Sequence, residues 1–115
     1  MTVTIYHNPR CSKSRQALAL IEGRGITPRI VEYLKTPPTV QELTAILKKM
    51  GCKPADILRA KDAKEAGIDP TGMNDAALIA KIVANPIVIE RPIVVSGNKA
   101  ALGRPPEAVL DILSS

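Results

Sequence analysis

Val3, Ile5 and His7 alternate with Thr4 and Tyr6, the period of two expected for a strand that turns one face inward. Asn8-Pro9 then breaks the pattern. From Ser14 onward the spacing becomes helical, with Ala17, Leu18 and Ile21 on one face and Gly23 and Gly25 ending the helix. Arg29-Ile30-Val31-Glu32-Tyr33 reads as a second strand. A strand, loop, helix and strand in that order imply a crossover and parallel pairing.

Pro37-Pro38 opens a helical middle. Thr39 followed by Glu42 predicts a capping box, after which Leu43, Ile46, Leu47 and Met50 recur at helical spacing until Gly51. A shorter helical piece is expected around Ile57 and Leu58. Asn74 is placed to cap a helix carrying Leu78, Ile79, Ile82 and Val83, which stops at Asn85-Pro86. Ile93-Val94-Val95 is a buried-strand run, Gly97-Asn98 a turn, and Ala100-Ala101-Leu102 an antiparallel return. Pro105-Pro106-Glu107 suits the start of a final helix with Val109, Leu110, Ile112 and Leu113. The pattern predicts an α/β chain: a four-stranded mixed sheet flanked by helices, with a helical insertion between a βαβ half and a ββα half.

With 115 residues, the chain reads as a single domain over 1-115, its helical insertion covering roughly 37-86, and a hydrophobic content of 45% supports a core. The first residues enter a strand directly and do not resemble a signal peptide, and no apolar run approaches the roughly 20 residues that span a bilayer. A soluble, cytoplasmic protein without a membrane partner is expected. The net charge of +5 raises nucleic acid as a partner, but the basic residues are scattered and Tyr6 and Tyr33 are the only aromatic rings. A solvated basic surface, or arginines gathered on a small anion, explains the charge better.

Two cysteines make no disulfide framework, so each is either reactive or packed. Cys11 stands where the first loop meets the first helix, among Arg10, Lys13 and Arg15. Unpaired N–H groups at a helix start, the positive end of its dipole and nearby cations all favour a thiolate over a thiol. The same N–H groups suit an oxyanion. Ser14 occupies the place of a second cysteine in this C-x-x-S motif, so no local disulfide can close and a reductant must bring its own thiol. Cys52 follows Gly51 in an uncharged setting and reads as structural. A phosphatase loop of the form C-x5-R is excluded, because Ala17 stands where the arginine would be. His7, the only histidine, is a general acid or base, a charged neighbour of the thiolate, or a strand-end residue tipped into solvent. One histidine and two distant cysteines are not a metal site.

His7-Asn8-Pro9-x-Cys11-x-x-Ser14-Arg15 closely resembles the signature of the glutaredoxin-coupled arsenate reductases, and Arg91-Pro92-Ile93-Val94-Val95 and Gly103-Arg104-Pro105 match the same family. Leu58-Arg59 lies where that family carries another active-site arginine, and the likeness runs along essentially the full chain. It implies a thioredoxin-like fold with an inserted helical subdomain, and a cis Pro92 facing the nucleophile. It also implies a catalytic set of Cys11, His7 and Ser14. Arg59, Arg91, Arg104 and Arg15 would form the oxyanion-binding set, with Arg10 and Arg15 local to the thiolate. The implied reaction reduces arsenate to arsenite through a covalent thiol–arsenate intermediate on Cys11. Glutathione would be the co-substrate and glutaredoxin the protein partner, with no tightly bound cofactor or metal. Two rivals stand beside this reading: an Spx-type regulator that binds RNA polymerase, and a glutathione-dependent thiol enzyme with another substrate, whose relatives share the cysteine and arginine positions. Ser14 in place of a second thiol counts against a disulfide sensor.

Overall fold

The computed structural model of the protein describes residues 2–113. The elements run β1 (Val3–His7), α1 (Ser12–Gly23), β2 (Arg29–Glu32), α2 (Val40–Met50), α3 (Ala60–Glu65), α4 (Asp75–Ala84), β3 (Ile93–Ser96) and β4 (Lys99–Leu102). Short 3₁₀ segments occupy Pro54–Ile57, Pro86–Val88 and Pro106–Ile112. The chain forms two compact units, one made of the segments up to Thr36 and from Arg91 onward, the other of Pro37–Glu90.

The first unit is built on a four-stranded sheet of order β2-β1-β3-β4, with β1 parallel to β2 and antiparallel to β3, and β3 antiparallel to β4. This is the mixed sheet that the pattern of strands and helices predicts. In β1 the alternation holds residue by residue: Val3, Ile5 and His7 are buried while Thr4 and Tyr6 are only partly so. In α1 the inward stripe is Ser14, Ala17 and Ile21, spaced i, i+3 and i+7. The helix begins at Ser12, two residues before the Ser14 start that the spacing predicts, a difference that arises because Ser12 and Lys13 carry no apolar signal. Val3, Ile5 and Val94 from the sheet, Ala17 and Ile21 from α1, and Val109 and Leu113 from the chain end form its core. Each such aliphatic side chain contributes about 1.5–3 kcal/mol on burial, so β1, β3 and α1 make a firm base for the loop between β1 and α1.

The final segment, expected as an α-helix, is 3₁₀ over Pro106–Ile112. Side chains three apart align in that geometry, and Pro106 and Val109 are buried while Ile112 packs against the same core. The Arg91–Pro92 peptide is cis, as the resemblance implies, and Arg104–Pro105 is cis as well.

Register decides which residues meet at the sheet's end. Tyr6 lies opposite Ile93, Ile93 opposite Leu102, and His7 opposite Glu32. The end of β1, the approach to β3 and the exit from β4 therefore share one end, where Gly103 N–H donates to Pro92 O at 2.8 Å. A Cβ on Gly103 would lie 2.6 Å from Pro92 Cγ and 3.3 Å from Val109 Cγ1. A proline ring cannot swing aside, so Gly103→Ala should destabilise the protein by about 1–3 kcal/mol, seen as a lower urea midpoint at unchanged slope. An unchanged midpoint would show that the contact relaxes freely.

In the second unit, Thr39 Oγ1 accepts from Glu42 N–H at 3.0 Å and Glu42 Oε1 accepts from Thr39 N–H at 2.9 Å, the expected capping box. α2 buries Leu43, Ile46 and Leu47 and packs on α4, which buries Leu78, Ile79 and Ile82 beneath its Asn74 cap. The helical piece expected around Ile57 and Leu58 is a 3₁₀ turn that stops at Ile57, and Leu58 is extended in an isolated bridge with Ile89. α3 was not anticipated, since only Ala63 of its six residues is buried and it carries no apolar stripe. Among the described residues no helix is long and apolar enough to cross a membrane.

Candidate active site

The loop after β1 is a four-residue turn closed by Cys11 N–H donating to Asn8 O at 3.0 Å. Asn8 Oδ1 accepts from Arg10 N–H at 3.0 Å, and Pro9 fixes its own φ at the turn's second position. The turn delivers Cys11 to the N-cap of α1, where its carbonyl accepts from Arg15 N–H at 3.0 Å. Its thiol is half-buried and makes no capping hydrogen bond. The first turn of α1 contains no acidic residue, so backbone N–H groups and the positive helix end dominate the field there.

His7 and Ser14 meet behind this turn. His7 is the third inward position of β1 and Ser14 the first inward position of α1, so packing the helix on the sheet brings their side chains together. His7 Nδ1 and Ser14 Oγ lie 2.6 Å apart, and Asn8 N–H donates to Ser14 Oγ at 3.0 Å. The assignment that uses every group has the serine hydroxyl donating to an unprotonated Nδ1 while its oxygen accepts from Asn8. Ser14 is fully buried and His7 is 6% exposed, so His7 is not a strand-end residue tipped into solvent. Burial holds the imidazole pKa below its ordinary value; Glu32 pulls it up, and Arg15 pushes it down. At neutral pH His7 is therefore uncharged, which suits proton transfer better than thiolate pairing by charge.

The shift has a consequence for stability. A histidine whose pKa is depressed on folding stabilises fully above its unfolded value, and that contribution is lost as pH falls through the folded one. Stability should thus decline as pH drops below about 6.5, and His7→Asn should remove that part of the slope in urea titrations from pH 7 to 5. A slope identical in both proteins would contradict a buried, neutral His7.

The arginines are placed differently from one another. Arg15 Nη1 donates to Pro9 O at 2.8 Å, so this exposed side chain clamps the loop that carries Cys11. Arg91 is buried immediately before β3, and Arg104 is exposed two residues beyond β4, which puts both at the sheet end where β1 delivers the loop. Arg59 belongs to the other unit, where it is the N-cap of α3. Its Nε lies 3.2 Å from Asp62 Oδ2 and 3.6 Å from Glu90 Oε1, a carboxylate pair that already neutralises the guanidinium. Cys52 is half-buried in that unit, and burial and then Asp56 push its thiol pKa up, which disfavours a thiolate there.

Three residues that position the site escaped the sequence reasoning. Asn8 reads as a strand breaker and as part of the signature, with no role of its own, although an Asn before a proline and a short polar loop is a side chain suited to bonding its own backbone. Gly103 carried no signal of its close approach to Pro92. Glu32 faces His7 only through the β1–β2 register.

The ArsC family model matches residues 6–112. An arsenate reductase of Haemophilus influenzae is 47% identical over 116 residues, covering 98% of this chain and all of that one. An arsenate reductase of Neisseria meningitidis serogroup B is 46% identical, covering 96% of this chain and 97% of that one. The solved structure of an arsenate reductase from Vibrio cholerae superposes with a TM-score of 0.93 at 46% identity, covering 98% of each chain. Cysteine at a helix start, paired His7 and Ser14 behind it, and this full-length likeness in sequence and fold lead to one conclusion: the chain belongs to the ArsC family.

Proposed function

We propose that this protein reduces arsenate to arsenite, with Cys11 as the nucleophile and glutathione and glutaredoxin as the source of electrons. The observation that carries the proposal is the half-buried Cys11 thiol at the N-cap of α1, with Arg91 and Arg104 brought by register to the same end of the sheet. Arginine presents a charged, planar fork of donors that matches a tetrahedral oxyanion.

In the proposed sequence the Cys11 thiolate attacks arsenic(V), and one arsenate oxygen takes up two protons and leaves as water. A glutathione thiol then adds to arsenic and a second oxygen leaves as water. Glutaredoxin thiolate attacks the glutathione sulfur, forming a mixed disulfide, and the electron pair of the broken sulfur–arsenic bond reduces arsenic to the trivalent state. Water displaces the Cys11 thiolate and frees arsenite. Arg91, Arg104 and the first N–H groups of α1 stabilise the developing oxygen charge, and His7 with Ser14 holds the loop and supplies a proton path. The scheme uses no metal or tightly held cofactor, and it belongs in a reducing cytoplasm, where glutathione is maintained.

The test is turnover of arsenate by the purified protein with glutathione, glutaredoxin and an enzyme that recycles oxidised glutathione. Arsenite should form only when all are present. No arsenite under those conditions would overturn the proposal, and retention of RNA polymerase in its place would favour a regulator.

A further inference from the structure

Beside the active loop lies a cleft of about 190 Å³ lined by His7, Asn8, Pro9, Arg10, Glu32, Leu34 and Lys35. It is smaller than the roughly 300–1,000 Å³ of sites that enclose a whole ligand, so it suits one end of a molecule rather than all of it. Its charges are arranged for a zwitterion. Glu32 Oε1 and Lys35 Nζ stand 3.6 Å apart with both side chains open to solvent, and Arg10 adds a second cation from the loop side. Leu34 is 42% exposed and offers an apolar wall for a short methylene chain.

We infer that this cleft holds the γ-glutamyl end of glutathione, its α-ammonium on Glu32 and its α-carboxylate on Lys35 and Arg10, so that the tripeptide's thiol is delivered to Cys11. The inference rests on glutathione being the reductant in the proposed reaction. Ser14 is a fully buried hydroxyl engaged with His7 and Asn8, so the second thiol has to come from outside the loop. Arg10, which lines the cleft, is the residue before Cys11, and neighbouring Cα atoms lie about 3.8 Å apart. An extended tripeptide spans roughly 10 Å, long enough to place one end in the cleft and its middle residue around the turn at the thiol. An ion pair already present between Glu32 and Lys35 is an exposed one, which costs little to exchange for ligand contacts.

The chain's single histidine lies in the cleft wall, so its ring resonances report occupancy without a label elsewhere. S-methylglutathione, whose sulfur is blocked from reacting, is titrated into the full-length protein while the His7 resonances are followed by NMR. The expected result is a saturable shift, roughly tenfold weaker in Lys35→Glu and in Glu32→Gln. S-methyl-cysteinylglycine, which lacks the γ-glutamyl end, should give no saturable shift. Lys35 is highly exposed, so its variant keeps the fold even where Glu32→Gln does not. Absence of saturation, equal binding of the two probes, or wild-type affinity in Lys35→Glu would each overturn the assignment. Because no arsenate is present, a saturable shift in a protein that fails to reduce arsenate supports the cleft and leaves only the proposed reaction to fall.

Discussion

Cys11→Ser should lower arsenate turnover by roughly a thousandfold or more, while Cys52→Ser stays within about twofold of the parent protein. The two thiols differ in setting rather than in exposure, since both are half-buried. Cys11 caps a twelve-residue helix with no acid in its first turn, and Arg15 fastens the preceding loop through Pro9 O. Cys52 follows α2, and its thiol is pushed towards the protonated form by burial and Asp56. A serine hydroxyl at Cys11 keeps the N-cap geometry and even improves capping, so a folded but inactive variant is the expected product. The comparison needs kcat from the coupled assay and a urea midpoint for each protein. Substantial activity in Cys11→Ser, or its loss in Cys52→Ser, would move the chemistry to the other sulfur.

Arg91→Ala should reduce kcat/KM for arsenate by roughly 10- to 150-fold, the equivalent of losing about 1.5–3 kcal/mol from one charge-assisted contact. Arg91 is 7% exposed at the entrance to β3, so its guanidinium is held in a fixed place instead of sampling solvent, and little ordering remains to be done when an anion arrives. Arg91→Lys should recover only part of the loss, because an ammonium restores the charge without the planar fork. Inorganic phosphate, as a competing tetrahedral anion, should inhibit the parent protein more strongly than Arg91→Ala. Kinetics unchanged by Arg91→Ala would remove this arginine from the anion site and leave Arg104 and the α1 N-terminus to hold it.

Much of the architecture is written in local periodicity. Val3-Ile5-His7 fixes the inward face of β1, and Thr39 with Glu42 marks the start of α2 to the residue. α3 was illegible for the same reason, since its polar sequence leaves only Ala63 for packing. The 3₁₀ form of Pro106–Ile112 was hidden because Val109, Leu110, Ile112 and Leu113 fit either helix period over so short a run.

At the site, the loop and its cysteine were legible, but the partnership of His7 with Ser14 was not. Its signal is present in retrospect: Ser14 continues the Ala17–Ile21 stripe and His7 continues the Val3–Ile5 face, so two polar residues end two apolar faces that must pack together. Neither residue's own window carries this, and only the crossing of β1 and α1 makes them neighbours. Glu32 is a clearer case of the same limit, because strand register is a long-range property that no local pattern encodes. Arg59 is matched by position, and of its two carboxylate neighbours Asp62 is local, three residues on, while Glu90 is brought to it from far along the chain.

Incubating the protein with arsenate and glutathione in the absence of glutaredoxin, then quenching and locating bound arsenic by peptide mass spectrometry, tests the chemistry at its first bond. An arsenic-bearing mass confined to the peptide that contains Cys11 is the predicted result. Arsenite production by the complete system with that peptide unmodified, or arsenic carried on Cys52, would contradict it.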